Sequence, residues 1–307
     1  MAIATRRIAA NGFDFAVDEA GEGERLALCL HGFPESRFSW RYQLPLLAEM
    51  GYRAWAPDLR GYGETDPKPA EVSAYMIDRL MEDVAALIDA SGAKSVTLIG
   101  HDWGAGLAWT FAANQVRPLE RLVIMNVPHP AIMSAHLRRS WAQLKKSWYM
   151  FFFQLPGLPE RAMTANDARA IRNAFHGMAV DKSNFTPDVL DRYAADAQRT
   201  GAIRGMINWY RAALRAQGKL AGPWEVILTP TLIVWGEEDA ALGIELLDGT
   251  EAFVRDLTIE PLAGVSHWVQ QEAPEKVNAI LKAWLGAPRM MTPSPYRLMA
   301  PKSSEER

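Results

Sequence analysis

An apolar, β-branched run at Ser95–Ile99 passes without a linker into G-H-D-W-G-A-G at 100–106, and then into a helical pattern from Leu107 to Ala113. A turn that sharp needs small residues, because side chains at Gly100, Gly104 and Gly106 would collide where helix and strand cross. The rest of the chain keeps the same rhythm. Short runs at Leu26–Leu30, Arg53–Ala56, Leu122–Asn126, Thr231–Trp235 and Val254–Ile259 read as further strands, separated by helical patterns such as Ser73–Ala90. Such alternation predicts an α/β protein with a mostly parallel sheet flanked by helices. Arg6–Ala10 and Phe13–Asp18, joined at Asn11-Gly12, read as a hairpin.

Between Pro128 and Pro230 the alternation stops and several helices are expected, with a break at Leu155–Pro159 and a helix start near Thr186-Pro187-Asp188. Residues 129–222 therefore read as a helical cap inserted into a core made of 1–128 and 223–288, with 289–307 a Pro-, Met- and Ser-rich tail. At 307 residues and 49% apolar content, the chain is long enough for one large core plus such an insert. A net charge of −3 without a basic run argues against a nucleic-acid partner. The single cysteine, Cys29, lies in a strand run and allows no internal disulfide, which fits a reducing, cytoplasmic setting. No stretch approaches the roughly 20 apolar residues of a membrane span, and the amino terminus has no secretory core. The aromatic stretch from Trp148 to Leu158, broken by Pro156 and Gly157, reads as core or pocket lining.

An aspartate opening a helix is ordinarily an N-cap. At Asp102 the flanking glycines and the preceding buried strand point instead to a nucleophile on a strained elbow. A carboxylate attacking an acyl carbon would give a reactive anhydride, whereas attack on a saturated carbon gives an ester that water can cleave. The substrate should then carry an alkyl electrophile, such as an epoxide or an alkyl halide. Cleaving the ester needs an activated water, so an acid and a histidine should follow in the chain. His267, in G-V-S-H-W at 264–268, is the expected general base, and Asp239, in G-E-E-D at 236–239, its orienting acid. Glu237 and Glu238 read as solvated loop charges, His136 and His176 as surface or packing residues, and His129 as part of the core-to-cap crossover. The backbone N–H groups of Phe33 and Trp103 are the candidate oxyanion donors.

With these residues in hand, the chain resembles the epoxide hydrolases of the α/β-hydrolase superfamily, up to about Ala287. The motifs are H-G-F-P-E-S at 31–36, D-L-R-G-Y-G at 58–63, G-H-D-W-G at 100–104, N-W-Y-R at 208–211 and S-H-W at 266–268. The resemblance implies an α/β-hydrolase fold with a helical lid, no cofactor or metal, and a small hydrophobic epoxide as substrate for a monomer or homodimer. It also implies a cis bond before Pro34, and two cap tyrosines, Tyr149 and Tyr210, that donate to the epoxide oxygen. On pattern alone, both tyrosines would read as packing residues. Glu35 and His101 would help hold the hydrolytic water, and Phe33, Trp103, Met150, Trp209 and Trp268 would line a hydrophobic pocket.

Two other readings remain open at this level. A dehalogenase would use the same Asp102, His267 and Asp239, with the Trp103 indole on the halide; Phe33 counts against it, since many similar dehalogenases place asparagine there. A haloacid substrate would need basic residues for its carboxylate, and Arg37 and Arg41 are not assigned to that role. A non-catalytic relative is disfavoured by the intact set of three.

Overall fold

The computed structural model describes residues 1–139, 148–215 and 224–287. Eight strands form one sheet in the order β1-β2-β4-β3-β5-β6-β7-β8. They are β1 (Ala4–Ala10), β2 (Phe13–Ala20), β3 (Arg25–Leu30), β4 (Arg53–Pro57), β5 (Ser95–His101), β6 (Arg121–Met125), β7 (Thr231–Gly236) and β8 (Leu257–Leu262). The expected hairpin closes through Asn11 and Gly12, both at positive φ (47° and 76°), as a two-residue turn requires. β2 joins β4 antiparallel, and every later pairing is parallel.

Parallel strands buried on both faces read as continuous apolar runs. β3 illustrates the point: Leu26, Leu28 and Leu30 pack into the cluster on one face, while Ala27 and Cys29 pack into the cluster on the other. On the first face lie α2 (Ile77–Ser91) and α3 (Trp103–Ala113), and on the second α1 (Gln43–Glu49) and α10 (Pro274–Gly286). The helix expected at Ser73–Ala90 begins later. Val72–Tyr75 is a 3-10 turn and Met76 is extended, so the α-helix starts at Ile77.

The last strand also differs from expectation. Val254–Ile259 reads as the strand, but the ladder with β7 begins at Leu257 and continues through Glu260 and Pro261 to Leu262. An edge strand half in water carries polar residues, whereas Val254 is buried outside the ladder in a single bridge to Ile227.

Between β6 and β7 the described residues contain helices and no strand: α4 (Pro130–Arg139), α5 (Trp148–Phe152), α6 (Leu158–Met178, interrupted at Ala165–Ala168), α7 (Pro187–Gln198) and α8 (Ala202–Arg215). The break expected at 155–159 falls at 153–157, between α5 and α6, with Leu158 and Pro159 already in the first turn of α6. Thr186 is the N-cap of α7, with Pro187 in its first turn, where a missing N–H costs nothing. The boundary at 222–223 and the tail at 289–307 lie outside the described residues. After β8 come α9 (Val269–Glu272) and α10. Among the described residues no helix is long and apolar enough to cross a membrane.

The elbow glycines are not equivalent. A Cβ on Gly104 would lie 2.2 Å from the Leu30 carbonyl oxygen, and one on Gly100 would lie 2.5 Å from that of Gly104. A Cβ on Gly106 would meet nothing within 4 Å, so the crowding expected there is absent. Gly104→Ala should therefore destabilise the fold by on the order of 3 kcal/mol. Gly106→Ala, relieved of glycine's helix penalty, should stabilise it by up to about 1 kcal/mol. Urea denaturation of the two variants tests the contrast; equal midpoints would remove the crossing constraint.

Candidate active site

Asp102 sits between β5 and α3 with φ 48° and ψ −122°. A non-glycine residue held there costs on the order of 1–3 kcal/mol, and such strain collects where the backbone must aim a side chain. Its carboxylate does not cap α3. Instead Oδ1 accepts the Phe33 N–H at 2.7 Å, and Oδ2 lies 3.6 Å from His267 Nε2. Gly32 permits this approach, since a Cβ there would stand 2.3 Å from that of Asp102. The Phe33–Pro34 peptide is cis.

His267 follows β8, and its Nδ1 lies 2.6 Å from Asp239 Oδ2. Asp239 follows β7 and is buried, while Glu237 and Glu238 are exposed. Four donors hold its carboxylate: the N–H groups of Ala241 (2.8 Å) and Leu242 (2.9 Å), Asn126 Nδ2 (2.8 Å) and His267. Asn126 escaped the sequence analysis, where it reads only as the last residue of a strand. It also accepts the Gly236 N–H at 2.9 Å, so one side chain ties the end of β6 to the end of β7.

Electrostatics bind the three groups together. Burial alone would push both carboxyls up, but His267 outweighs it and holds Asp102 and Asp239 below the usual carboxylate range. For His267, burial pushes downward, and the two carboxylates overcome it and raise the ring to about 10. The two carboxylates thus favour a proton on the His267 ring in the resting site.

Tyr149 on α5 and Tyr210 on α8 come together, with ring centroids 5.8 Å apart. Tyr210 packs on Trp103 (4.8 Å), Phe33 (5.2 Å) and Phe153 (4.9 Å). The residues around it in N-W-Y-R act as anchors: Asn208 donates to Ala70 O, Trp209 Nε1 to Arg60 O, and Arg211 to Phe153 O and Leu155 O. Burial, then the Asp102 charge, push both tyrosine hydroxyls above their ordinary value, so each keeps its proton at neutral pH. Phe153 also meets Phe33 at 5.4 Å and was missed, hidden in an all-aromatic run that gives no hint of which ring turns inward.

The α/β hydrolase fold family matches residues 28–274. Epoxide hydrolase 4 of Mus musculus is 38% identical over 287 residues, covering 91% of this chain and 78% of that protein. The crystal structure of Bacillus megaterium epoxide hydrolase in complex with an inhibitor matches with a TM-score of 0.85 at 32% identity, covering 92% of this chain and 100% of that one. The chain belongs to the epoxide hydrolases of the α/β hydrolase fold family.

Within this epoxide hydrolase the remaining expected residues fall in different places. Met150 is half-buried on α5 against the core, and Trp103 lies 6.0 Å from Trp209 between their ring centroids. Trp268 is buried beside the histidine, 4.9 Å from His267 and 4.6 Å from Phe175. Glu35 and His101 are fully buried and paired at 2.8 Å, with His101 Nε2 2.8 Å from the His267 carbonyl oxygen. His129 is enclosed by Trp109, Trp224 and Phe253 at the crossover, and His176 is exposed. Arg37 is buried against Asp18 and Asp58, and Arg41 lies over Phe38 and Tyr42 while donating to Gln271, so both guanidinium groups are already engaged.

Proposed function

We propose that this epoxide hydrolase opens epoxides to vicinal diols through a covalent ester on Asp102, which water activated by His267 and Asp239 then cleaves. The observation that carries the reading is the orientation of Asp102: its carboxylate turns from the helix it opens toward the Phe33 N–H and His267. Residues 129–222 act as a cap that brings Tyr149 and Tyr210 over a core formed by 1–128 and 223–288.

In the first step Oδ2 of Asp102 attacks a ring carbon, the carbon–oxygen bond breaks, and a cap tyrosine protonates the departing oxygen. Oδ1 becomes the ester carbonyl oxygen, already 2.7 Å from the Phe33 N–H. That contact, with the Trp103 N–H, suits an oxyanion. Forming the ester removes the Asp102 charge, one of the two that hold a proton on His267. That proton passes through solvent to the tyrosinate left by ring opening, and the neutral histidine then takes a proton from water as the water adds to the ester carbon. Collapse of the tetrahedral species returns the carboxylate, and the proton leaves with the diol. Glu35 and His101, behind His267, belong to this second step, and the apolar walls at Phe33, Trp103, Met150, Trp209 and Trp268 favour an apolar substituent on the epoxide. A dehalogenase using the same three residues is not favoured by the relatives, which are named epoxide hydrolases.

A single turnover in oxygen-18 water tests the ester. The oxygen delivered to the first diol comes from Asp102, so the protein should gain the label and the diol should stay largely unlabelled. A first-turnover diol carrying solvent oxygen means direct attack by water and removes Asp102 as nucleophile.

A further inference from the structure

We propose that Tyr193 and Gln271 are positioning residues for ester hydrolysis, holding His267 through a buried hydrogen-bond chain that begins on α7 and ends on the His267 main chain. This rests on the two-step reading above.

Each link is short. Tyr193 OH donates to Gln271 Oε1 at 2.6 Å, Gln271 Nε2 donates to Glu35 Oε1 at 2.8 Å, Glu35 Oε2 meets His101 Nδ1 at 2.8 Å, and His101 Nε2 meets the His267 carbonyl oxygen at 2.8 Å. Tyr193, Gln271, Glu35 and His101 are all fully buried.

The direction of the chain is fixed by what each group can do. A carbonyl only accepts, so His101 Nε2 carries the hydrogen. Glu35 accepts from the Gly32 N–H, Gln270 Nε2 and Gln271 Nε2, and its contact with His101 Nδ1 is closed by one further shared hydrogen, since the Nε2 hydrogen is already spent on the carbonyl. Gln271 turns its amide nitrogen to Glu35, leaving its oxygen for two donors, Tyr193 OH and Arg41 Nη1. With these partners in place, rotating one group would leave buried polar atoms unpaired, so the set moves as a unit.

A second, apolar path joins the same end points. Tyr193 stacks on Phe175 at 4.3 Å, Phe175 meets Trp268 at 4.6 Å, and Trp268 meets His267 at 4.9 Å. Phe175 and Tyr193 sit on α6 and α7, and the two paths grip His267 from its main chain and from its ring. Alkylation uses Asp102 and the tyrosines on α5 and α8. The brace from α6 and α7 bears on the residue that takes the proton from water, so loosening it should slow the second step alone.

Tyr193→Phe and Gln271→Leu, each followed through a single turnover with one epoxide, separate the steps. Tyr193→Phe keeps the ring, its stack on Phe175, and the Arg41 donor on Gln271. It should leave alkylation within about twofold of wild type and slow adduct decay by about fivefold, the worth of one net hydrogen bond. Gln271→Leu cuts the chain and should slow decay by about tenfold or more. The double variant should be no slower than Gln271→Leu, because both changes act through one path. An unchanged decay rate in folded Tyr193→Phe enzyme, or equal slowing of both steps, overturns the proposal; this variant decides if Gln271→Leu does not fold. Failure of the ester reading shows separately, as the absence of any adduct on the wild-type enzyme, and it overturns the proposal with it.

Discussion

His267→Gln enzyme mixed with excess epoxide should gain the mass of one substrate molecule on Asp102 and hold it. Glutamine leaves Asp102 free to attack, since the Phe33 N–H still orients Oδ1. It cannot take a proton from water, and loss of a general base lowers the hydrolytic rate by roughly 10²–10⁴. Intact-protein mass spectrometry reads the adduct, and normal turnover by this variant would remove His267 from the second step. The wild-type pH dependence carries the same logic. His267 is a base only when neutral, and in the resting enzyme its ring is raised to about 10 by burial-opposing contacts with Asp239 and Asp102. Alkylation deletes the Asp102 share, so adduct decay should rise with pH through a midpoint well below 10. Asp102, held below the usual carboxylate range, keeps alkylation running until the solution is distinctly acidic. A decay profile still climbing through pH 10 would mean that the ester does not release the histidine's proton.

Replacing both cap tyrosines should nearly abolish epoxide opening while leaving the fold intact. An epoxide oxygen leaves as a strongly basic alkoxide, so it needs a proton donor as its bond breaks. Tyr210 is buried and Tyr149 half-buried, their ring centroids lie 5.8 Å apart, and both hold their protons because desolvation and the Asp102 charge oppose ionisation. Each single Tyr→Phe change should slow alkylation by about 10- to 100-fold, because the partner hydroxyl remains. The double change should cost about 10³-fold or more. Since two donors share one oxygen, the effects should not add as independent sites. Because both hydroxyls are raised above the ordinary tyrosine value, alkylation should not fall as pH reaches 10. Pre-steady-state alkylation rates decide the matter, with circular dichroism as the folding control. A folded double variant opening epoxides at the wild-type rate would take the tyrosines out of the mechanism.

Much of this architecture is legible in the residues because its signals are local. The parallel strands are buried on both faces, so each appears as an apolar run, and the elbow announces itself through Gly100 and Gly104. Local signals fail where the environment is mixed. β8 is an edge strand carrying Glu260 and Pro261, and apolarity drew attention to Val254, which is buried for another reason. The candidate site follows the same division. Asp102, Asp239 and His267 lie at strand ends in chain order, and the structure brings them into one row, with His267 hydrogen-bonded to Asp239 and 3.6 Å from Asp102. Asn126, Phe153, Tyr193 and Gln271 have no such marker. An asparagine closing a strand, or a tyrosine inside an amphipathic helix, takes its meaning from a partner tens of residues away, and only the fold supplies that partner.

The helical insertion leaves the sheet after β6 and returns at β7, two strands that lie side by side with Leu122 opposite Thr231. Asn126 joins the exit and the return through its bonds to Gly236 and Asp239. The stem of the insertion is therefore closed independently of what hangs from it. Doubling a loop's length adds only about 0.6 kcal/mol to the cost of closing it. An insertion of different length or shape can be grafted onto this stem without disturbing sheet register or the orientation of Asp239. In such a lineage the segments bearing Tyr149 and Tyr210 can diversify as an exchangeable module, while Asp102, Asp239 and His267 keep their places together with the segment bearing Phe175 and Tyr193.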